Sequence, residues 1–134
     1  MAEHPFDLSR FPVHLGLGAT VEHLPEFDGS PDWYQRYGAA HESDGVEGRL
    51  VSLHTFDGSW DSWEMHPHGA EIVACTAGSV TLLQDIDGKV VKTTLHTGEA
   101  AINPPGVWHT ADVTEPCTML FVTPGAGTQN RPRT

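Results

Sequence analysis

Two short stretches of this chain concentrate side chains that can hold a metal. In Trp63-Glu64-Met65-His66-Pro67-His68-Gly69-Ala70-Glu71, the imidazoles of His66 and His68 stand two positions apart. In an extended strand, such residues face the same way. Glu71 follows past Gly69, a residue that can turn the chain. Two imidazoles and a carboxylate converging on one point suit a divalent transition ion: imidazole is a borderline ligand, and carboxylate adds charge and hardness. In the second stretch, residues 98–109 (GEAAINPPGVWH), a strand ends at Asn103, Pro104-Pro105-Gly106 makes a rigid turn, and His109 opens the next strand. A closed sheet can bring His109 opposite the first cluster. The other histidines (His4, His14, His23, His41, His54 and His96) are read as surface or satisfied core residues.

The elements that must position these residues are short strands. Arg49–Phe56 alternates between two faces, and Asp57-Gly58 then turns the chain. Ser62–His66, Glu71–Thr76 and Ser79–Asp85 follow as strands. Asp87-Gly88 is a two-residue hairpin turn, across which Lys89–His96 pairs back. Glu99–Asn103, Trp108–Val113 and Cys117–Thr123 complete about eight strands, a spacing that predicts an all-β sandwich or barrel. Residues 1–48, broken by prolines at 5, 12, 25 and 31, read as an irregular acidic N-terminal arm rather than a separate domain. One short helical turn is predicted over Asp32–Tyr37, with Trp33, Tyr34 and Tyr37 capping a core. Residues 49–124 form the barrel, and 125–134 a polar tail. Gly16-Leu17-Gly18 lacks the strand and helix context of a nucleotide-binding loop.

Composition narrows the function. The 134 residues suit one domain. Seven Lys+Arg against 18 Asp+Glu give a net charge of −11, which argues against nucleic acid or an anionic membrane as partner. The acid is uneven: residues 1–64 hold 12 acidic and 3 basic residues, and residues 65–134 hold 6 and 4. The longest largely apolar run, Ile72–Ala77, is far too short to span a bilayer. The N-terminus has no apolar segment of a secretory signal, and Cys75 and Cys117 read as free thiols, so the expectation is a cytoplasmic protein. Cys75 is read as a small buried thiol. Trp63, Trp108, Met65, Met119 and Phe121 are expected as apolar lining, with Trp108 pointing to the opposite face from His109.

The two clusters resemble the two motifs of the cupin superfamily, G(x)5HxH(x)3–4E(x)6G and G(x)5PxGxxH(x)3N. Glu71 is followed by six residues and Gly78, and Gly98, Pro104, Gly106 and His109 keep the second spacing. Three positions depart. Two residues, not three or four, separate His68 from Glu71; seven residues, not five, separate Gly58 from His66; and Val113 stands where the family has Asn. The resemblance spans about residues 50–124 and is to small single-domain bacterial cupins. It implies an all-β double-stranded β-helix, or jelly-roll, barrel holding a metal through His66, His68, Glu71 and His109. The shortened gap makes His66, Glu71 and His109 the stronger ligands and His68 the weaker or outer one. The ion would be Fe, Mn, Ni or Zn. The implied function is a metal-dependent enzyme of dioxygenase or isomerase type acting on a small molecule inside the barrel. The alternative is a non-enzymatic barrel that binds or senses a small ligand. A homodimer is expected, because an open sheet edge and the aromatic arm need cover.

Overall fold

The computed structural model describes residues 4–134. Its strands are β1 (Val13–Gly16), β2 (Thr20–His23), β3 (Arg49–Phe56), β4 (Ser62–Met65), β5 (Glu71–Ala77), β6 (Ser79–Ile86), β7 (Lys89–His96), β8 (Ala100–Asn103), β9 (Trp108–Asp112), β10 (Cys117–Thr123) and β11 (Gln129–Pro132). One helix, α1 (Pro31–Ala40), interrupts them. All pairings are antiparallel, in a six-stranded sheet of order β2-β1-β3-β10-β5-β8 and a five-stranded sheet of order β11-β4-β9-β6-β7. The fold is all-β, two sheets closing on a common core.

Alternation decides which side chains meet between the sheets. Val73 and Cys75 of β5, Val80 and Leu82 of β6, Ala111 of β9 and Cys117, Met119 and Phe121 of β10 form that core, with Phe56 and Trp60 packed against it. Met119 and Phe121 thus face inward as expected, and both cysteines are free and buried. Asp87 and Gly88 both take positive φ (54° and 80°), the geometry a two-residue hairpin needs, and Ile86 pairs with Lys89 across them.

The two ends of the chain are more ordered than the sequence pattern predicts. Residues 13–23 form a hairpin whose first strand pairs with β3, and Leu17-Gly18-Ala19 is simply its turn. The single helical turn expected over Asp32–Tyr37 is a ten-residue helix. Pro31 starts this helix rather than breaking one. It sits at the first helical position, where its missing N–H costs nothing, and the Ser30 hydroxyl accepts from the Trp33 amide at 3.1 Å. Trp33, Leu24 and Leu50 close a second small core, with Phe27 and Tyr37 against it. Trp33 is therefore not spare apolar surface, whereas Tyr34 stays 46% exposed. The polar tail forms β11, paired with β4 from Gln129↔Met65 to Pro132↔Ser62. Arg131 stacks on Trp108 at 4.4 Å and Trp63 at 5.6 Å, while Arg133 reaches Asp112 at 2.7 Å. Trp108 turns away from His109 as expected. Trp63 lies beside it under the tail rather than lining the interior.

Candidate metal centre

The site lies where strand ends from both sheets meet. Glu64 on β4 and His109 on β9 are direct cross-strand partners, so their side chains share a face. His66 follows the last residue of β4, and its backbone is clamped: the Gly106 amide of the Pro104-Pro105-Gly106 turn donates to the His66 carbonyl at 3.0 Å. Glu71 opens β5, opposite Asn103 at the end of β8.

Glu64, His66 and His109 each offer a ligand atom within 4.8 Å of the other two, a group that can hold a metal ion. Glu71 closes the cluster, with His66 Nε2 3.3 Å from its Oε2 and His109 Nε2 3.2 Å from its Oε1. His109 Nε2 is 3.8 Å from Glu64 Oε2. His66, Glu71 and His109 are almost wholly buried, while about a third of the Glu64 side chain is exposed. Donors about 2.1 Å from one ion stand roughly 3.0–3.4 Å apart at octahedral to tetrahedral angles. The 3.2 and 3.3 Å spacings to Glu71 fall in that range, and the 3.8 Å spacing from His109 to Glu64 lies a little beyond it.

The hydrogen bonds around the cluster aim it. Neither His66 Nε2 nor His109 Nε2 has a hydrogen-bond partner, despite the short distances to Glu71, because neither ring points along the carboxylate. His109 Nδ1 lies 3.3 Å from the Val107 carbonyl, which can only accept, so the proton of the neutral ring sits on Nδ1. Glu71 is held by Asn103 Nδ2, donating to Oε1 at 3.0 Å, and by Thr123 Oγ1, donating to Oε2 at 2.6 Å. Gln84 Nε2 donates in turn to Asn103 Oδ1 at 2.8 Å. Two buried imidazole nitrogens without partners, facing two carboxylates, are the donor set a divalent ion takes.

Electrostatics agree. Burial opposes ionisation of Glu71, but His109 and His66 outweigh it and hold the carboxyl well below its usual range. Burial likewise opposes protonation of His109, yet the Glu64 and Glu71 carboxylates lift it to about 9. Near the cluster, burial pushes His54 down against the pull of Glu64, and burial with Glu64 pushes Tyr34 up to about 12. Phe27 touches both rings, 4.9 Å from His54 and 5.6 Å from Tyr34, so the arm reaches the barrel's inner face.

Of the four residues singled out in the sequence, the structure brings together His66, Glu71 and His109. His68 is exposed in the turn after β4, where its ring lies against Gly127. The strand-face argument for the His66–His68 pair does not apply, because β4 ends at Met65: Pro67 has no N–H for the ladder, and Gly69 fits against Pro124. Sequence reasoning missed Glu64. The signal was present in the motif register: Gly58, five residues, Glu64-x-His66, four residues, Glu71, six residues, Gly78. His66 is the second member of the pair, and Glu64 takes the place of the first histidine.

Residues 53–123 match the family described as a cupin domain. The chain belongs to the cupin family. No curated protein matches it. Among solved structures, it is similar to a cupin-2 domain containing protein from Shewanella frigidimarina, at 22% identity over 63% of this chain and 71% of that one, with a TM-score of 0.47. An oxalate oxidase in complex with glycolate shares 15% identity over 60% of this cupin and 45% of its own chain, with a TM-score of 0.52. A hydroquinone 1,2-dioxygenase in complex with Cd2+ and 4-hydroxybenzonitrile shares 17% over 56% of each chain, with a TM-score of 0.51. This cupin thus spans about half the length of the two enzymes. At these identities the likeness is one of fold.

Proposed function

We propose that this cupin is a metal-dependent enzyme acting on a small organic molecule inside the barrel, with chemistry of the dioxygenase or isomerase type. The observation that carries the reading is the pair of buried, unpartnered Nε2 atoms on His66 and His109, aimed together with Glu64 and Glu71. Fe(II), Mn(II), Ni(II) or Zn(II) bound there would polarise a substrate carbonyl or enolate, or activate oxygen. Two carboxylates beside two imidazoles lean toward the harder of these ions. His66 and His109 would hold the ion as neutral rings, and Glu71, fixed by Asn103 and Thr123, would hold it as a carboxylate. Glu64 would be the partly exposed ligand, on the side of the centre nearest solvent. His54, kept neutral by burial, and the phenol of Tyr34 flank that position.

The test is metal analysis of untagged protein never exposed to nickel resin, followed by reconstitution with each of the four ions. A panel of small carbonyl and enol compounds is then screened for oxygen uptake and substrate loss. About one ion per chain, with turnover that Glu64→Gln abolishes, is the expected result. Protein that stays metal-free with all four ions overturns the reading and leaves a metal-free binding barrel.

The assembly we propose is a two-fold homodimer across the outer face of the larger sheet. Val51, Val122, Ile72 and Ile102 are successive cross-strand partners and form an apolar row on that face. Ile72 and Ile102 are 43% and 62% exposed. A second copy offers the same row by symmetry.

A further inference from the structure

We infer that Thr128, on the C-terminal tail, is a positioning residue of the metal centre: it sets the His66 tautomer that leaves Nε2 as a free lone pair. The inference rests on the metal reading above but concerns a residue outside positions 53–123, the part of the chain that carries the family match.

The argument is a proton count. Thr128 Oγ1 lies 2.9 Å from the Gly125 carbonyl and 2.9 Å from His66 Nδ1. The hydroxyl has one proton, and the carbonyl can only accept. If the hydroxyl donates to Gly125, its oxygen is left to accept from His66 Nδ1–H, and both contacts are satisfied. If instead His66 carried its proton on Nε2, Nδ1 and the carbonyl would compete for the single hydroxyl proton, and one contact would be lost. Glu71 Oε2 is 3.3 Å from Nε2 but makes no hydrogen bond to it, so nothing there offsets the lost contact, and the arrangement favours the Nδ1–H ring. The Val107 carbonyl fixes His109 in the same sense once that ring is neutral, so both neutral rings turn Nε2 toward Glu64 and Glu71.

The tail is built to hold Thr128 there. The Thr128 amide donates to the Gly125 carbonyl at 3.2 Å, closing a tight turn. Gly127 in that turn has φ of 76°, and a Cβ on it would meet the His68 ring at 3.2 Å. His68, outside the metal cluster, thus packs on the turn that delivers Thr128. Beyond it, β11 is latched to β4 and pinned by Arg131 and Arg133.

The experiment uses the full chain and Zn2+ as probe, with affinity read by competition against a chromophoric chelator. Thr128→Val keeps the shape and removes the hydroxyl; Thr128→Ser keeps the hydroxyl. The expected result is a loss of about 10- to 100-fold in zinc affinity for Thr128→Val and near wild-type affinity for Thr128→Ser. In metal-free protein at mildly alkaline pH, long-range proton–nitrogen correlation spectra report the His66 tautomer. Wild type and Thr128→Ser should show Nδ1–H, and Thr128→Val a shift toward Nε2–H. Wild-type zinc affinity in a Thr128→Val protein whose His66 tautomer is unchanged overturns the inference. So does a folded Thr128→Ser that loses as much as Thr128→Val. If wild-type protein takes up no zinc, the metal reading falls, and the tautomer alone decides. A wild-type His66 ring protonated on Nε2, or one unmoved by Thr128→Val, overturns the inference.

Discussion

Raising the pH of the metal-free protein should destabilise it, through His109. That imidazole is fully buried, and burial alone would lower its affinity for protons; the Glu64 and Glu71 carboxylates reverse this and hold it at about 9, against an ordinary 6.5. Between those two values the folded chain keeps a proton that the unfolded chain has released. Stability therefore falls as pH rises, by ~1.4 kcal/mol per pH unit. The full contribution is present below pH 6.5 and gone once the pH passes about 9. Over that interval it amounts to about 3 kcal/mol, on the order of 10 °C in melting temperature for a domain of this size. Glu71 sets the other limit. Its carboxyl is held below the usual 4.5, so its contribution is present above that pH and lost as the pH falls through its folded value. The measurement is urea unfolding in excess chelator at several pH values between 6 and 9.5, for wild type and His109→Gln. The difference between the two curves isolates His109 from the other histidines. A difference that does not narrow with rising pH would refute the electrostatic account of the site.

Other outcomes follow from the same geometry. Zinc affinity should rise roughly tenfold per pH unit up to about pH 9, because the ion must displace the His109 proton; pH-independent affinity in chelator competition would contradict this. His66→Ala and His109→Ala should each abolish most metal uptake, Glu64→Ala should weaken it, and His68→Ala should lose least, as read by metal content after reconstitution. If His68→Ala is the most damaging of these, the register through Glu64 and His66 is wrong. Glu71→Gln leaves the buried His109 cation with Glu64 alone and should destabilise the metal-free protein at pH 6, measured by urea unfolding. Light scattering at micromolar concentration should give twice the 14.5 kDa chain mass, and Ile102→Glu should return it to 14.5 kDa; wild type at 14.5 kDa refutes the dimer.

The barrel strands were legible because their information is local. Alternation in Arg49–Phe56 and Cys117–Thr123, and the Asp87-Gly88 turn, specify strand and hairpin whatever lies across the sheet. Glu71 and His109 were legible for a similar reason: the spacing from Glu71 to Gly78, and the Pro104-Pro105-Gly106 turn before His109, are features of a single stretch of chain. The rest depended on partners distant in sequence. The tail Gln129–Pro132 is exposed at every position and carries no strand pattern, yet the open edge of β4 and two arginine anchors make it one. Whether His66 or His68 turns inward rested on where β4 stops, which is decided by the failed ladder at Pro67 and the fit of Gly69 against Pro124. Glu64, an ordinary acidic residue in an acidic half of the chain, became part of the centre only because β4 pairs it with His109, 45 positions on. Sequence determines which residues can ligate and which stretches extend. Convergence of their side chains needs the pairing of strands, and that pairing is a property of the folded barrel.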